Sequence, residues 1–100
     1  MTTTRSPDHY AYVLRCSDGS FYTGYTTDVQ RRVREHDAGE GAKYTRGRTP
    51  VELVHVERFE SKSAAMRREY GIKQLSHDAK ARLVADSDPG AHVGGPDDEG

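Results

Sequence analysis

Tryptophan and asparagine are absent from the sequence, and cysteine occurs once. A single cysteine cannot close an internal disulfide or build a cysteine-rich zinc site, and it suits a reducing, cytoplasmic compartment. No apolar run approaches the ~20 residues needed to cross a bilayer, and polar residues 1–7 lack a signal-peptide core. With 100 residues, the chain has little room for a second core. Several chemistries are missing as well. There is no GxxxxGK(S/T) phosphate loop, no GxGxxG and no GxSxG elbow, and the histidines at 9, 36, 55, 77 and 92 never fall at HExxH spacing. Cys16 has no activating neighbour in sequence and reads as a small buried hydrophobe. The formal net charge of −1 argues, at first sight, against a nucleic-acid partner.

That total conceals a division. From Asp8 to Ala85 there are 14 Lys and Arg against 11 Asp and Glu, whereas from Asp86 onward there are five acids and no base. The last stretch is rich in Gly, Pro and Asp, with too little apolar surface to offset its ordering entropy. The expected organisation is a loose arm over 1–7, a mildly basic domain over 8–85 and a disordered acidic tail over 86–100. The tail is expected to compete with nucleic acid for the basic loop from Lys43 to Arg48.

Within the domain, His9 to Cys16 is aromatic and β-branched enough for a strand. Ser17-Asp18-Gly19-Ser20 is a turn signal, and Phe21 to Thr26 returns as a second strand, with Gly24 inside it marking a bulge or a close approach. Thr27-x-x-Gln30 has the form of a capping box, predicting a helix to about Ala38 with Gly39 beyond its end. A glycine-rich loop over 39–50 precedes a third strand, Val51 to Phe59. Ser61 and Ser76 then cap two further helices, the first ending near Leu75 and the second near Ala85. The order β-β-α-β-α-α predicts an α/β (α+β) fold, a small three-stranded, mainly antiparallel sheet flanked by helices.

Three features stand out. The hairpin is dense in tyrosine: Tyr10, Tyr12, Tyr22 and Tyr25. Sheet packing accounts for that by itself. On the first helix, 100° per residue places Arg32 and His36 beside the Val29/Val33 stripe, while Arg31 and Arg34 point away. Arg32 therefore needs an anionic partner or a place on the rim, with snorkelling over the core edge as the plain alternative. Glu69 borders the apolar face of the second helix, where the plain alternative is an i,i+4 pair with Lys73. Arg68 projects towards the apolar side and reads as structural. The loop residues Lys43, Tyr44, Arg46 and Arg48 combine cations with an aromatic ring, a composition suited to backbone contacts and base stacking.

Tyr10-Ala11-Tyr12 followed after nine residues by Tyr22-Thr23-Gly24 resembles the paired tripeptides of the GIY-YIG nuclease superfamily. Gly24 is then the motif glycine. Arg32 holds the place of the family's helical Arg, His36 that of a frequent His or Tyr one turn later, and Glu69 that of its metal-binding Glu. The stretch GAKYTRGRTPVELVHVE resembles the small single-domain YhbQ-like branch. The resemblance covers about 8–85. It implies hydrolysis of phosphodiester bonds in DNA by an endonuclease, in repair or processing, with RNA left open and no membrane partner. It assigns Mg²⁺ or Mn²⁺ to Glu69, a phosphate clamp to Arg32, a role as base or water-orienting group to Tyr12 or Tyr22, and assistance in proton transfer to His36.

The late Asn of better-known members has no counterpart. That keeps a second reading in play: a nucleic-acid-binding module of the same fold with little or no turnover. A protein-interaction domain is a third. With no added recognition domain, sequence specificity would have to come from a partner protein. One geometric condition follows. A two-residue turn at Asp18-Gly19 would put Tyr12 and Tyr22 on opposite faces of the sheet, so a shared site requires an odd offset, such as a three-residue loop Asp18-Gly19-Ser20 or a bulge.

Overall fold

The computed structural model describes residues 8–87. The arm expected over 1–7 and the tail from 88 onward lie outside the described residues. Strands β1 (His9–Arg15), β2 (Phe21–Thr26) and β3 (Glu52–Phe59) form one sheet in the order β2-β1-β3, with helices α1 (Val29–Asp37), α2 (Lys62–Lys73) and α3 (His77–Ala85). Both strand pairs are antiparallel, so the sheet is antiparallel throughout. The most apolar strand is the central one, and Ala11, Tyr12, Val13 and Leu14 are all buried.

Tyr12 pairs with Gly24 and Leu14 with Tyr22, which puts the two tyrosines on one face. The offset comes from a three-residue loop. Cys16 N–H donates to Ser20 O at 2.8 Å, Gly19 N–H donates back to Cys16 O at 2.9 Å, and Gly19 takes φ +85°. The loop is thus Ser17-Asp18-Gly19, one residue earlier than expected. A type I turn followed by a left-handed residue closes such hairpins, and glycine fills that last place without strain.

β3 is irregular where the sequence alternates poorly. Val13 pairs with His55 but Leu14 pairs with Leu53, leaving Val54 as an extra residue. The bulge lets Leu53 and Val56 both join the cluster of Tyr12, Leu14, Val29 and Val33. Val54 instead joins Val13, Phe21, Ile72 and Val84 on the other face. Helix α1 covers the first face, and α2 and α3 supply residues to the second.

The helix starts reflect local capping. Ser61 and Ser76 accept hydrogen bonds from Ala64 N–H and Ala79 N–H, as their positions predict. At α1 the cap is Asp28, not Thr27: its carboxylate accepts from Arg31 N–H at 3.1 Å. Asp28 N–H in turn donates to Thr26 Oγ1, which bends the chain just before the helix and moves its start past Thr27. Helix α2 ends at Lys73, two residues before the expected end. Asp86 caps the end of α3, and Ser87 donates to Leu83 O and contacts His55.

Candidate active site

The β1–β2 pairing builds the floor of the site. Tyr12 lies opposite Gly24, and a Cβ at Gly24 would collide with the Tyr12 hydroxyl and ring. Glycine therefore lets the phenol lie across β2 instead of being pushed off the sheet. Tyr22 sits beside it, with ring centroids 6.4 Å apart.

Helix α1 closes the site from above. His36 is completely buried, its ring 6.0 Å from Tyr12 and 5.0 Å from Tyr22. His36 Nε2 lies 2.9 Å from the Tyr12 hydroxyl. Arg32, one turn earlier, is partly exposed and bonds Glu35 at 2.9 Å. Arg31 and Arg34 are exposed, as the helical period predicts. Helix α2 brings in Glu69. Its side chain is mostly covered and pairs with Lys73 at 2.9 Å, the i,i+4 bridge that its spacing allows, and its charge is felt at the Tyr12 phenol.

These neighbours set the protonation states. Burial, reinforced by the nearby Tyr22 and Glu69, pushes the Tyr12 phenol up to about 12, against the opposing pull of Arg32. Burial and the Arg32 charge lower the His36 imidazole, partly offset by Glu35. The hydrogen bond to Glu35 strengthens the charged form of Arg32. The core of the site at neutral pH is thus a neutral phenol and a neutral imidazole beside a fixed guanidinium.

The loop after α1 folds over His36. Lys43–Thr45 form a single 3-10 turn, which buries Thr45 with its hydroxyl 2.9 Å from His36 Nδ1. A Cβ at Gly41 would strike the His36 ring. Tyr44 extends the aromatic surface at 5.9 Å from Tyr22, and Arg48 lies 4.4 Å above the Tyr44 ring while pairing with Asp18 at 2.6 Å. Arg48 is therefore committed to holding the loop on the hairpin. Lys43 and Arg46 are exposed. Gly41, Thr45 and Glu35 were not among the residues singled out from sequence. Two glycines within GEGA mark a close approach, but nothing in the sequence says that His36 is what approaches.

Two other residues fall outside this site. Arg68 grips Glu57 through two nitrogens on the opposite face, which is the structural role expected of it. Cys16 is buried, and burial raises its thiol. Among the described residues, no helix is long and apolar enough to cross a membrane.

Comparison with known proteins adds independent findings. Residues 8–82 match the family model described as the GIY-YIG catalytic domain. A UPF0213 protein of Natronomonas pharaonis is 76% identical over 79 residues, spanning 79% of this chain and 93% of that protein. A UPF0213 protein of Halobacterium salinarum is 72% identical over 75 residues, spanning 75% of this chain and 97% of that protein. The solution structure of a UPF0213 protein from Bacillus halodurans is 58% identical, covers 78% of this chain and 83% of its own, and superposes with a TM-score of 0.52. A second solution structure, from E. faecalis, is 45% identical with a TM-score of 0.55, covering 83% of this chain and 88% of its own.

Proposed function

Since this chain belongs to the family of GIY-YIG catalytic domains, within the nuclease superfamily, we propose that it is a metal-dependent endonuclease hydrolysing phosphodiester bonds in DNA, in repair or processing. The observation that carries this reading is the convergence of Tyr12, Tyr22 and His36 on one face of the sheet, with the Arg32 guanidinium and, more weakly, the Glu69 charge acting on the Tyr12 phenol.

The residues fit a divalent metal. Glu69 offers hard carboxylate oxygens, which Mg²⁺ and Mn²⁺ prefer. Among the described residues no three His, Cys, Asp or Glu side chains converge on a metal position, so Glu69 alone would hold the ion, a situation Mg²⁺ tolerates by keeping most of its water. Lys73 already pairs with this carboxylate and would compete with the ion. Bound there, the metal supplies Lewis-acid stabilisation of the charge that builds on the phosphoryl group.

The protein's own groups do the rest. Water attacks phosphorus, one P–O bond breaks, and the departing oxygen takes up a proton. Arg32 binds the scissile phosphate from the rim, where its charge is permanent and its bond to Glu35 limits its rotamers. Tyr12 stays protonated and acts as a fixed polar group. Tyr22 is less buried and is the tyrosine that meets the attacking water. His36 is too deeply buried to touch substrate, so it positions Tyr12. Tyr44, Lys43 and Arg46 receive the flanking strand by stacking and phosphate contact.

The test is cleavage of plasmid, single-stranded, flap and RNA substrates in Mg²⁺, Mn²⁺ or chelator. The expected result is metal-dependent cutting that falls at least ~10²-fold in Arg32→Ala and in Glu69→Ala. Binding without cutting in every metal would instead support a nucleic-acid-binding module, a reading favoured by the carboxylate and ammonium partners that Arg32 and Glu69 already have.

A further inference from the structure

His36 has two ring nitrogens and two different neighbourhoods. On one side Nε2 lies 2.9 Å from the Tyr12 hydroxyl. On the other, Nδ1 lies 2.9 Å from Thr45 Oγ1 and 3.3 Å from Ala42 N, whose N–H points at it. Thr45 Oγ1 also donates to Ala42 O at 2.9 Å, a carbonyl that accepts from Thr45 N–H at 3.1 Å as well. Hydroxyl protons can rotate, so the Tyr12–His36–Thr45 chain could run in either direction. In one direction Tyr12 donates to Nε2, Nδ1–H donates to Thr45, and Thr45 donates to Ala42 O. In the other, the Thr45 hydroxyl turns from Ala42 O to Nδ1, leaving that carbonyl to the Thr45 N–H, and Nε2–H donates to Tyr12.

One hydrogen in this cluster cannot rotate. The Ala42 amide proton is fixed by the backbone and aimed at Nδ1, so a proton on Nδ1 would face it head-on. Gly41 permits this approach, since a side chain there would hit the ring. We infer that the 41–45 loop, through the Ala42 amide, locks His36 as the neutral Nε2–H tautomer and thereby sets the direction of the Tyr12 hydroxyl. Nε2–H donates to the phenol oxygen. The phenol proton then points away from His36, while the phenol oxygen also accepts from Arg32. His36 therefore does not act as the base of Tyr12. The same loop carries Lys43, Tyr44 and Arg46, so the segment that receives the nucleic acid is also the segment that holds the tautomer.

This inference rests on the proposed nuclease reading for its consequence on cleavage, but not for its tautomer. Imidazole two-bond ¹H–¹⁵N correlation spectra of the labelled full chain read the tautomer directly, without substrate. The native protein is expected to show His36 protonated at Nε2 alone. Thr45→Val keeps the side-chain volume and removes the hydroxyl. With the Ala42 amide still aimed at Nδ1, it is expected to keep His36 protonated at Nε2 alone, whereas Gly41→Ala, whose methyl would strike the ring, is expected to move the amide off, admit a measurable share of the Nδ1–H form and slow single-turnover cleavage about tenfold. A native His36 protonated at Nδ1, or at both nitrogens at neutral pH, overturns the inference. So does a folded Thr45→Val protein that turns to the Nδ1–H form, or a folded Gly41→Ala protein with native tautomer and native rate. Should no substrate be cut, the nuclease reading fails while the spectrum still decides the tautomer.

Discussion

Gly24 acts through Tyr12. Alanine is ordinarily better than glycine in a strand, yet at this position a methyl group would enter the space of the phenol. Gly24→Ala is therefore expected to destabilise the protein by ~1–3 kcal/mol, the usual cost of overpacking, and to disturb the tyrosine pair. Urea denaturation measures the first effect, and near-ultraviolet circular dichroism the second. Unchanged stability would mean that the phenol can move aside. The sequence showed that Gly24 interrupts a strand and that a close approach was one reason for it. It did not show which atoms approach, because Tyr12 and Gly24 lie far apart in the chain and meet only through strand pairing. His36 differs in the same respect. Helical spacing placed it at the edge of the apolar stripe, but its complete burial comes from a loop whose path the helical period cannot describe.

The elements were legible where a signal is local. Ser61 and Ser76 cap their helices with hydroxyls three residues from the amides they satisfy, and such contacts need nothing distant. At α1 the sequence pointed to Thr27, but the Thr26 turn places the cap at Asp28. Asp28→Ala is expected to cost ~1 kcal/mol, whereas Thr27→Ala stays within ~0.5 kcal/mol. Thermal or urea melts of the two variants separate these assignments, and a larger loss from Thr27→Ala would reverse them. The hairpin was legible as a turn but not in its exact register. Ser17, Asp18, Gly19 and Ser20 allow several loops, and the adopted one makes both backbone bonds between Cys16 and the Gly19–Ser20 pair while keeping Tyr12 and Tyr22 on one face. The β3 bulge carried no separate signal. It exists because Leu53, Val54 and Val56 must be shared between two faces.

At the scale of the molecule, one polar network joins three elements away from the active site. Glu57 on β3 bonds His55 on the same strand and Arg68 on α2, while His55 contacts Ser87 just beyond α3. Burial by itself would raise the Glu57 carboxyl, but the bonds from His55 and Arg68 prevail and hold it at about 2, below its ordinary 4.5. A carboxyl lowered on folding stabilises the fold above its unfolded value and loses that contribution as the pH falls through the folded one. The contribution of Glu57 is therefore complete above about pH 4.5 and lost as the pH approaches 2. Glu57→Gln is expected to lower stability at neutral pH and to flatten the fall in urea midpoint between about pH 5 and about pH 2. An unaltered pH slope would show that the network does not couple protonation to folding.

By itself, the sequence determined the order of elements, the helix faces of Arg32, His36 and Glu69, and the absence of a disulfide scaffold. Composition and short-range periodicity settle such matters, since each depends on residues within a turn or two of one another. Division of the charge also showed that a mildly basic segment lies behind the total of −1. Tertiary structure alone decided that Tyr12 crosses Gly24, that Arg48 serves the loop rather than standing exposed, and that Thr45 and Ala42 face His36. Those contacts join β1 to β2, the hairpin to the loop, and the loop to α1. Their geometry depends on strand register and on the path of a glycine-rich segment, and neither has a local periodicity from which it could be read.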